Sequence, residues 1–166
     1  MPKVINIIGT GSNVGKTVLI EGLIKELKAR GLRIATIKHD VHSFDIDKKG
    51  KDTYKHREAG AETVIISSKN RFAMIRELDE EVDLMEIIDM LQDKDIILIE
   101  GYKKSEFRKI EVYRDGVSDS IITKKDKLIA IASDVKLNYK DVKVLSKDSY
   151  KEFADLIENE KEFSMV

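Results

Sequence analysis

Cysteine is absent from the 166-residue chain and proline occurs once. Without thiols there is no disulfide, no thiolate metal site and no cysteine nucleophile, and the chain suits a reducing, cytoplasmic setting. An excess of charge of either sign is also missing: 30 Lys and Arg stand against 31 Asp and Glu, a net charge of −1. That balance gives no global pull toward nucleic acid or an anionic membrane, and neither is expected as a partner. Long apolar runs are lacking too. The run near the start, Val4 to Ile8, is broken by Asn6 and is far too short for a membrane span or a secretory signal.

What the sequence does contain is an alternation of short apolar runs and amphipathic helices, the pattern of a parallel α/β sheet. Val4–Ile8 reads as a buried strand. Leu19, Ile20, Leu23, Ile24 and Leu27 recur at helical spacing, with Glu21, Lys25 and Lys28 opposite and Gly31 placed to end the helix. Arg33–Lys38 reads as a second strand, His39–Lys51 as a polar loop, and Asp52–Ala59 as a short helix closed by Gly60. Glu62–Ile66 and Phe72–Ile75 are two short strands around a turn at Lys69-Asn70. Leu84, Ile87, Ile88 and Leu91 form a helical stripe. Ile96–Ile99 is the most apolar strand and is expected to be central; Ile110–Tyr113 and Leu128–Ala132 follow as strands. Ser149 and Glu152 predict a capping box before a last helix using Phe153, Leu156 and Ile157. With no repeat or low-complexity linker, the expectation is one domain over residues 1–166. It is a three-layer α/β P-loop NTPase fold with a mainly parallel sheet and helices on both faces.

The chemistry concentrates after the first strand, in Gly9-Thr10-Gly11-Ser12-Asn13-Val14-Gly15-Lys16-Thr17. The Walker A pattern G-x-x-x-x-G-K-[ST] is met at Gly15-Lys16-Thr17 and relaxed at its first glycine, where Thr10 stands between Gly9 and Gly11. Such a loop turns successive backbone N–H groups inward around phosphate, and the helix behind it aims its positive end there. Lys16 then reaches the β- and γ-phosphates of a nucleoside triphosphate, and the Thr17 hydroxyl ligates Mg²⁺.

A carboxylate at the end of a buried strand normally accompanies this loop. In a parallel sheet ligands sit outside the carboxyl ends of strands, so Glu100, and not Asp95 at the other end, is the candidate acid. It would hold Mg²⁺ or polarise a water. The segment from Ile37 to Asp47 leaves the second strand at the same edge. His39 and His42 are metal-ligand types, but no third histidine lies close in sequence. The loop reads either as contacting a ligand phosphate or orienting a water, or as a solvated connection. Lys51 beside Asp52 is open to the same two readings. For the base, Thr123-Lys124-Lys125-Asp126 resembles the [NT]-K-x-D element that reads guanine, and the turn Ala132-Ser133-Asp134 is a second candidate.

Taken in order, several segments resemble the molybdopterin-guanine dinucleotide biosynthesis protein B (MobB) family. They are the P-loop, Ile37-Lys38-His39 with Asp47–Asp52, Ala59-Gly60-Ala61, Ile99–Lys103 and Ala130–Val135. The likeness spans Val4 to Val135. It implies a homodimeric GTP-binding protein with weak GTPase activity and Mg²⁺, which assists a MobA-type nucleotidyltransferase in attaching GMP to molybdopterin. The residues it assigns to the nucleotide are Thr10, Gly11, Ser12, Asn13, Val14, Gly15, Lys16, Thr17 and Val18. Lys16 and Glu100 are the catalytic pair, Thr17 and Glu100 the metal contacts. His39, Asp47, Lys51, Asp52 and Lys103 are candidates for a ligand loop, a family motif whose role the likeness does not fix, with molybdopterin itself a candidate ligand.

Two other readings share these residues. A small-molecule kinase using ATP would need an arginine-bearing lid, for which Lys103–Lys109 offers one arginine. A non-catalytic module would use nucleotide only to control docking. No arginine finger is identifiable in the sequence, so slow turnover is expected.

Overall fold

The computed structural model describes residues 1–40 and 44–163. The chain folds as two compact units, residues 1–39 with 88–166 and residues 40–87.

The first unit is built on a six-stranded sheet. In chain order its strands are β1 (Lys3–Ile8), β2 (Ile34–Lys38), β5 (Ile96–Glu100), β6 (Arg108–Tyr113), β7 (Leu128–Ser133) and β8 (Lys143–Ser146). Across the sheet the order is β2-β5-β1-β6-β7-β8, and every pairing is parallel. β5 reads as an unbroken apolar run and β1 as one broken only by the buried Asn6, because both faces are covered: Ile5, Ile7, Ile97, Leu98 and Ile99 are fully buried. β5 lies inside the sheet, one strand in from the β2 edge.

Helix α1 (Lys16–Ala29) places Leu19, Ile20, Leu23 and Leu27 in the core, as its spacing predicts. Its end is a Schellman turn: Leu32 N–H reaches Leu27 O at 3.2 Å and Gly31 N–H reaches Lys28 O at 3.0 Å. Helix α4 (Tyr150–Glu158) packs on α1 through Phe153, Ala154 and Ile157. Arg30 clasps the two helices, bonding Glu26 at 2.8 Å, Asp155 at 2.7 Å and the Glu158 carboxylate. The expected capping box is not formed. Ser149 is the N-cap but its side chain makes no capping bond. Its backbone N–H already donates to Ser146 O at 3.0 Å, so Glu152 has no donor to reach back to. β8 escapes a reading of the sequence because four residues with two half-buried apolar side chains carry little periodic signal.

Buried polar side chains hold the connections on this sheet. Glu111, 1% exposed, accepts the N–H groups of Ile122 at 2.9 Å and Thr123 at 2.8 Å. The Lys109 ammonium donates to Ser105 O, to Ser105 Oγ at 3.2 Å and to Phe107 O at 3.0 Å. Burial pushes the Lys109 pKa down, with Glu106 opposing it and Lys127 adding to it.

The second unit holds α2 (Asp52–Glu58) and an antiparallel hairpin, β3 (Thr63–Ser68) with β4 (Arg71–Arg76). The two short strands read in the sequence therefore form a sheet of their own. Gly60 ends α2 by a second Schellman turn, with Ala61 N–H on His56 O at 3.1 Å and Gly60 N–H on Arg57 O at 2.8 Å. Helix α3 (Leu84–Asp89) buries Ile88.

Gly22 lies mid-helix in α1, where alanine is worth about 1 kcal/mol more than glycine. A Cβ there would meet the Tyr150 ring at 2.1 Å. Overpacking of that kind costs about 1–3 kcal/mol and displaces α4, so it wins. Gly22→Ala is expected to lower stability despite the better propensity, read as a lower urea midpoint with an unchanged m-value.

Candidate functional site

β1 delivers the chain to a tight turn at the carboxyl edge of the sheet. A Cβ on Gly9 would meet Val14 Cγ2 at 2.6 Å and Val112 O at 3.0 Å, so glycine lets the loop fold back onto the core. Val14, which the sequence reading placed among the nucleotide contacts, has its side chain fully buried, where it roots the loop. Asn13 (φ 63°) and Gly15 (φ 107°) are left-handed, the alternation that curls backbone amides into an anion-binding concavity.

The start of α1 is what makes this concavity electropositive. Gly15 is its N-cap, no side chain caps it, and no acidic residue lies in its first turn. Helix starts are usually satisfied by Ser, Thr, Asp or Asn. Here the orphan donors and the positive end of the helix dipole face outward, a fit for phosphate. Thr17 and Val18 are exposed on that first turn.

Cations surround the loop. Lys16 Nζ donates to Gly11 O at 2.8 Å, Lys103 Nζ to Thr10 O at 2.9 Å and Arg114 Nη1 to Asn13 O at 2.8 Å. Thr10 Oγ1 bonds Ser118 Oγ at 3.1 Å. Burial lowers the Lys16 pKa; Glu100 opposes the shift, and Lys103 and Lys38 add to it. A site whose lysine is held below its ordinary pKa by burial and by like charges gains when an anion enters.

Glu100 closes β5, in register with Ile7 of β1 and Lys38 of β2. Its carbonyl accepts the His39 N–H at 2.9 Å. The next residue, Gly101, lets that approach happen, since a Cβ there would meet His39 Cβ at 3.0 Å. The His39 ring lies on Tyr102 with centroids 4.2 Å apart. Thus Lys16, Thr17, Glu100, Lys103 and His39 share the carboxyl edge. Thr17 and Glu100 could supply the protein's contacts to Mg²⁺ whose other ligands are phosphate oxygens and water. Among the described residues no group of three or more His, Asp or Glu could hold a metal ion unaided. His42, the other half of the histidine pair, lies outside the described residues.

Asp47, Lys51 and Asp52 belong to the second unit, where Asp47 has structural work. Its side chain is 7% exposed. It accepts Thr53 Oγ1 and Lys48 N–H, both at 2.9 Å, and pairs with Arg57 at 3.3 Å. Arg57 also binds Asp45 and Glu77. Asp47 therefore ties the loop to α2. Lys51 is the N-cap residue of α2, and Asp52 is an exposed first-turn acid 3.7 Å from Lys55.

The two base candidates separate cleanly. Thr123–Asp126 precedes β7, and the Asp126 carbonyl accepts a bond from Arg108 at the start of β6. It therefore sits at the amino edge of the sheet, away from the P-loop; Thr123 is buried and its N–H is spent on Glu111. Ser133-Asp134 ends β7 at the carboxyl edge. The Lys103–Lys109 stretch is not a free lid, because Lys109 pins its Ser105 and Phe107 carbonyls. Sequence reasoning missed Arg114 and Ser118; a cation just beyond the strand next to β1 was the available signal for Arg114.

A parallel sheet of this order, with an uncapped helix start behind a Gly-Lys-Thr loop and an acid at the end of the neighbouring strand, defines an α/β protein of the P-loop NTPase-like class. Comparison with known proteins narrows the class. The family model described as "Molybdopterin guanine dinucleotide synthesis protein B" (MobB) matches residues 4–134. The molybdopterin-guanine dinucleotide biosynthesis adapter protein of Escherichia coli is 40% identical over 153 residues, 88% of this chain and 86% of that one. The Haemophilus influenzae protein of the same name is 33% identical over 150 residues, 89% of this chain and 84% of that one. A crystal structure of molybdopterin-guanine biosynthesis protein B superposes with TM-score 0.69 at 27% identity, covering 93% of this chain and 97% of that one. Bacillus subtilis MobB matches the fold with TM-score 0.74 at 22% identity, over 96% and 100% of the two chains. The chain belongs to the MobB family.

The Asp47 pKa is lowered: burial alone would raise it, but bonds from Thr53, the Lys48 amide and Arg57 outweigh burial. A carboxylate depressed in the folded state adds stability above the unfolded value of about 3.9 and loses it as pH falls through the folded value. Asp47→Asn is expected to melt below the wild type at pH 7. The gap between the two should close as the pH is taken below about 4, followed by calorimetry.

Proposed function

We propose that this chain is a GTP-binding adapter protein of molybdenum cofactor biosynthesis. It works with Mg²⁺ as a weak GTPase in the cytoplasm and assists the nucleotidyltransferase that attaches GMP to molybdopterin. The observation that carries the nucleotide part is the uncapped start of α1 behind the left-handed loop at Asn13 and Gly15, with Lys16 at its mouth. The adapter part rests on the family and on the names of its relatives.

In this reading the loop amides and Lys16 hold the phosphates, and bound Mg²⁺ neutralises charge developing on the β- and γ-oxygens. Glu100 orients a water for in-line attack on the γ-phosphorus. The bond to the β-phosphate oxygen breaks, leaving GDP and inorganic phosphate, and the water's proton passes to solvent. Arg114 is spent on the Asn13 carbonyl, in keeping with slow turnover until a partner or a second subunit supplies a cation to the transition state.

The homodimer part has support from the hairpin. Ile65 (55% exposed), Phe72 (65%) and Met74 (45%) alternate onto one face of β3 and β4, an apolar area that a second copy would cover. Sedimentation should then give twice the 18.9 kDa chain mass, and Phe72→Asp should halve it; a wild-type monomer would rule out the dimer.

The central test is calorimetric titration with GTP and ATP analogues plus Mg²⁺. GTP is expected to bind and ATP to bind far more weakly, with Lys16→Ala abolishing binding. Phosphate release without any acceptor, lost in Glu100→Gln, supports hydrolysis. Preference for ATP with release only when an acceptor is added would put a small-molecule kinase in its place. Affinity should also fall on the alkaline side below pH 10.5, as Lys16, its pKa lowered, gives up its proton.

A further inference from the structure

The carboxyl edge beyond the P-loop, on the side of β6, β7 and β8, holds a group that the phosphate reading leaves unused. Asp134 follows β7 and is tied at two points. Its Oδ1 accepts the Asp115 N–H at 3.2 Å, and its Oδ2 accepts Lys147 Nζ at 3.0 Å. Both partners lead back to the phosphate loop. Arg114, the neighbour of Asp115, donates to Asn13 O at 2.8 Å. The stem of Lys147 passes beside Gly15, where a Cβ would lie 3.9 Å from Lys147 Cδ. Asn13, Arg114, Asp115, Asp134, Lys147 and Gly15 thus form a closed circuit, which fixes the Asp134 carboxylate beside the loop.

An ionised carboxylate has about four acceptor positions, two on each oxygen. Two of them are filled here, one per oxygen, and the side chain is 42% exposed. The exposed part of the carboxylate can still accept from a ligand that presents two adjacent donors, one to each oxygen. The Lys147 bond, then the Asp115 amide, keep this carboxyl below its ordinary pKa, so it accepts and does not donate across the physiological range. The methylene stem of Lys147 offers a flat apolar wall beside those positions.

We propose that Asp134 is the base-reading residue of the nucleotide site, taking the N1–H and 2-amino group of guanine while the base lies along the Lys147 stem. The assignment rests on the nucleotide-binding reading above and adds the source of its selectivity. Adenine places an acceptor at N1 and no amino group at C2, so it would set an acceptor against the carboxylate and leave its other position unfilled; sites built to hydrogen-bond a group reject analogues lacking it strongly.

The first test needs no variant. The wild-type protein with Mg²⁺ is titrated calorimetrically with GTP, inosine triphosphate, which lacks only the 2-amino group, and ATP. Inosine triphosphate is expected to bind about tenfold or more weakly than GTP, and ATP more weakly still. The second uses Asp134→Asn with xanthosine triphosphate, whose C2 oxygen accepts where guanine donates. The variant should lose GTP by about 100-fold and gain xanthosine triphosphate, a gain that misfolding cannot produce. Equal binding of GTP and inosine triphosphate by the wild type, or undiminished GTP binding by Asp134→Asn, overturns the assignment while leaving the phosphate site intact. If the folded wild type binds no triphosphate at all, as Lys16→Ala should, the nucleotide reading falls and takes this assignment with it.

Discussion

The chain must leave β1 at its carboxyl end and enter α1 within seven residues, without spending the helix's first amide donors on its own side chains. That constraint organises the rest of the first unit. Val14 is buried to root the turn, and Gly9 is needed so that Val14 and the Val112 carbonyl can approach. Asn13 and Gly15 adopt left-handed backbone that other residues would resist. The uncapped helix start, with glycine at the N-cap, costs only roughly a few tenths of a kcal/mol of capping energy. The apolar face of α1, buried against β1 and α4, offsets that cost several times over.

The surroundings of the loop then follow from the sheet order. Because β1 is flanked by β5 and β6, their carboxyl ends bring Glu100 on one side and Arg114 on the other to the same edge. Lys103 and Arg114 each grip a loop carbonyl from opposite sides. The loop is thus preorganised by side chains outside the Walker motif, which lowers the ordering cost when an anion arrives. The positive charge around the loop is local, because the chain as a whole carries only −1.

Residues 40–87 follow a different logic. Asp47 and Arg57 sit at the centre of an ion-pair and hydrogen-bond cluster that shapes the loop onto α2. The charged run from Asp47 to Asp52 looks like ligand chemistry in the sequence because its residues are those that bind phosphates and metals. A carboxylate that stitches a loop and one that grips a ligand are written with the same letter. Only burial and partners tell them apart.

Much was legible beforehand, for reasons of period and local chemistry. Glycines 31 and 60 announced two helix ends, the stripe from Leu19 to Leu27 announced α1, and Gly15-Lys16-Thr17 announced the loop, because each signal is carried by neighbours in the chain. By itself the sequence determined most of the elements, β8 excepted, and the glycine-rich Gly9–Thr17 loop between β1 and α1. The tertiary structure decided which elements pair and which distant residues meet. It set β3 and β4 apart as their own hairpin, added β8 to the sheet edge, and left the Ser149–Glu152 capping box unformed. It put Thr123–Asp126 at the amino edge and Asp134 at the carboxyl edge beside the P-loop. The physical reason is that strand order and edge are fixed by which apolar faces bury against each other, a sum over contacts far apart in sequence that no local pattern records.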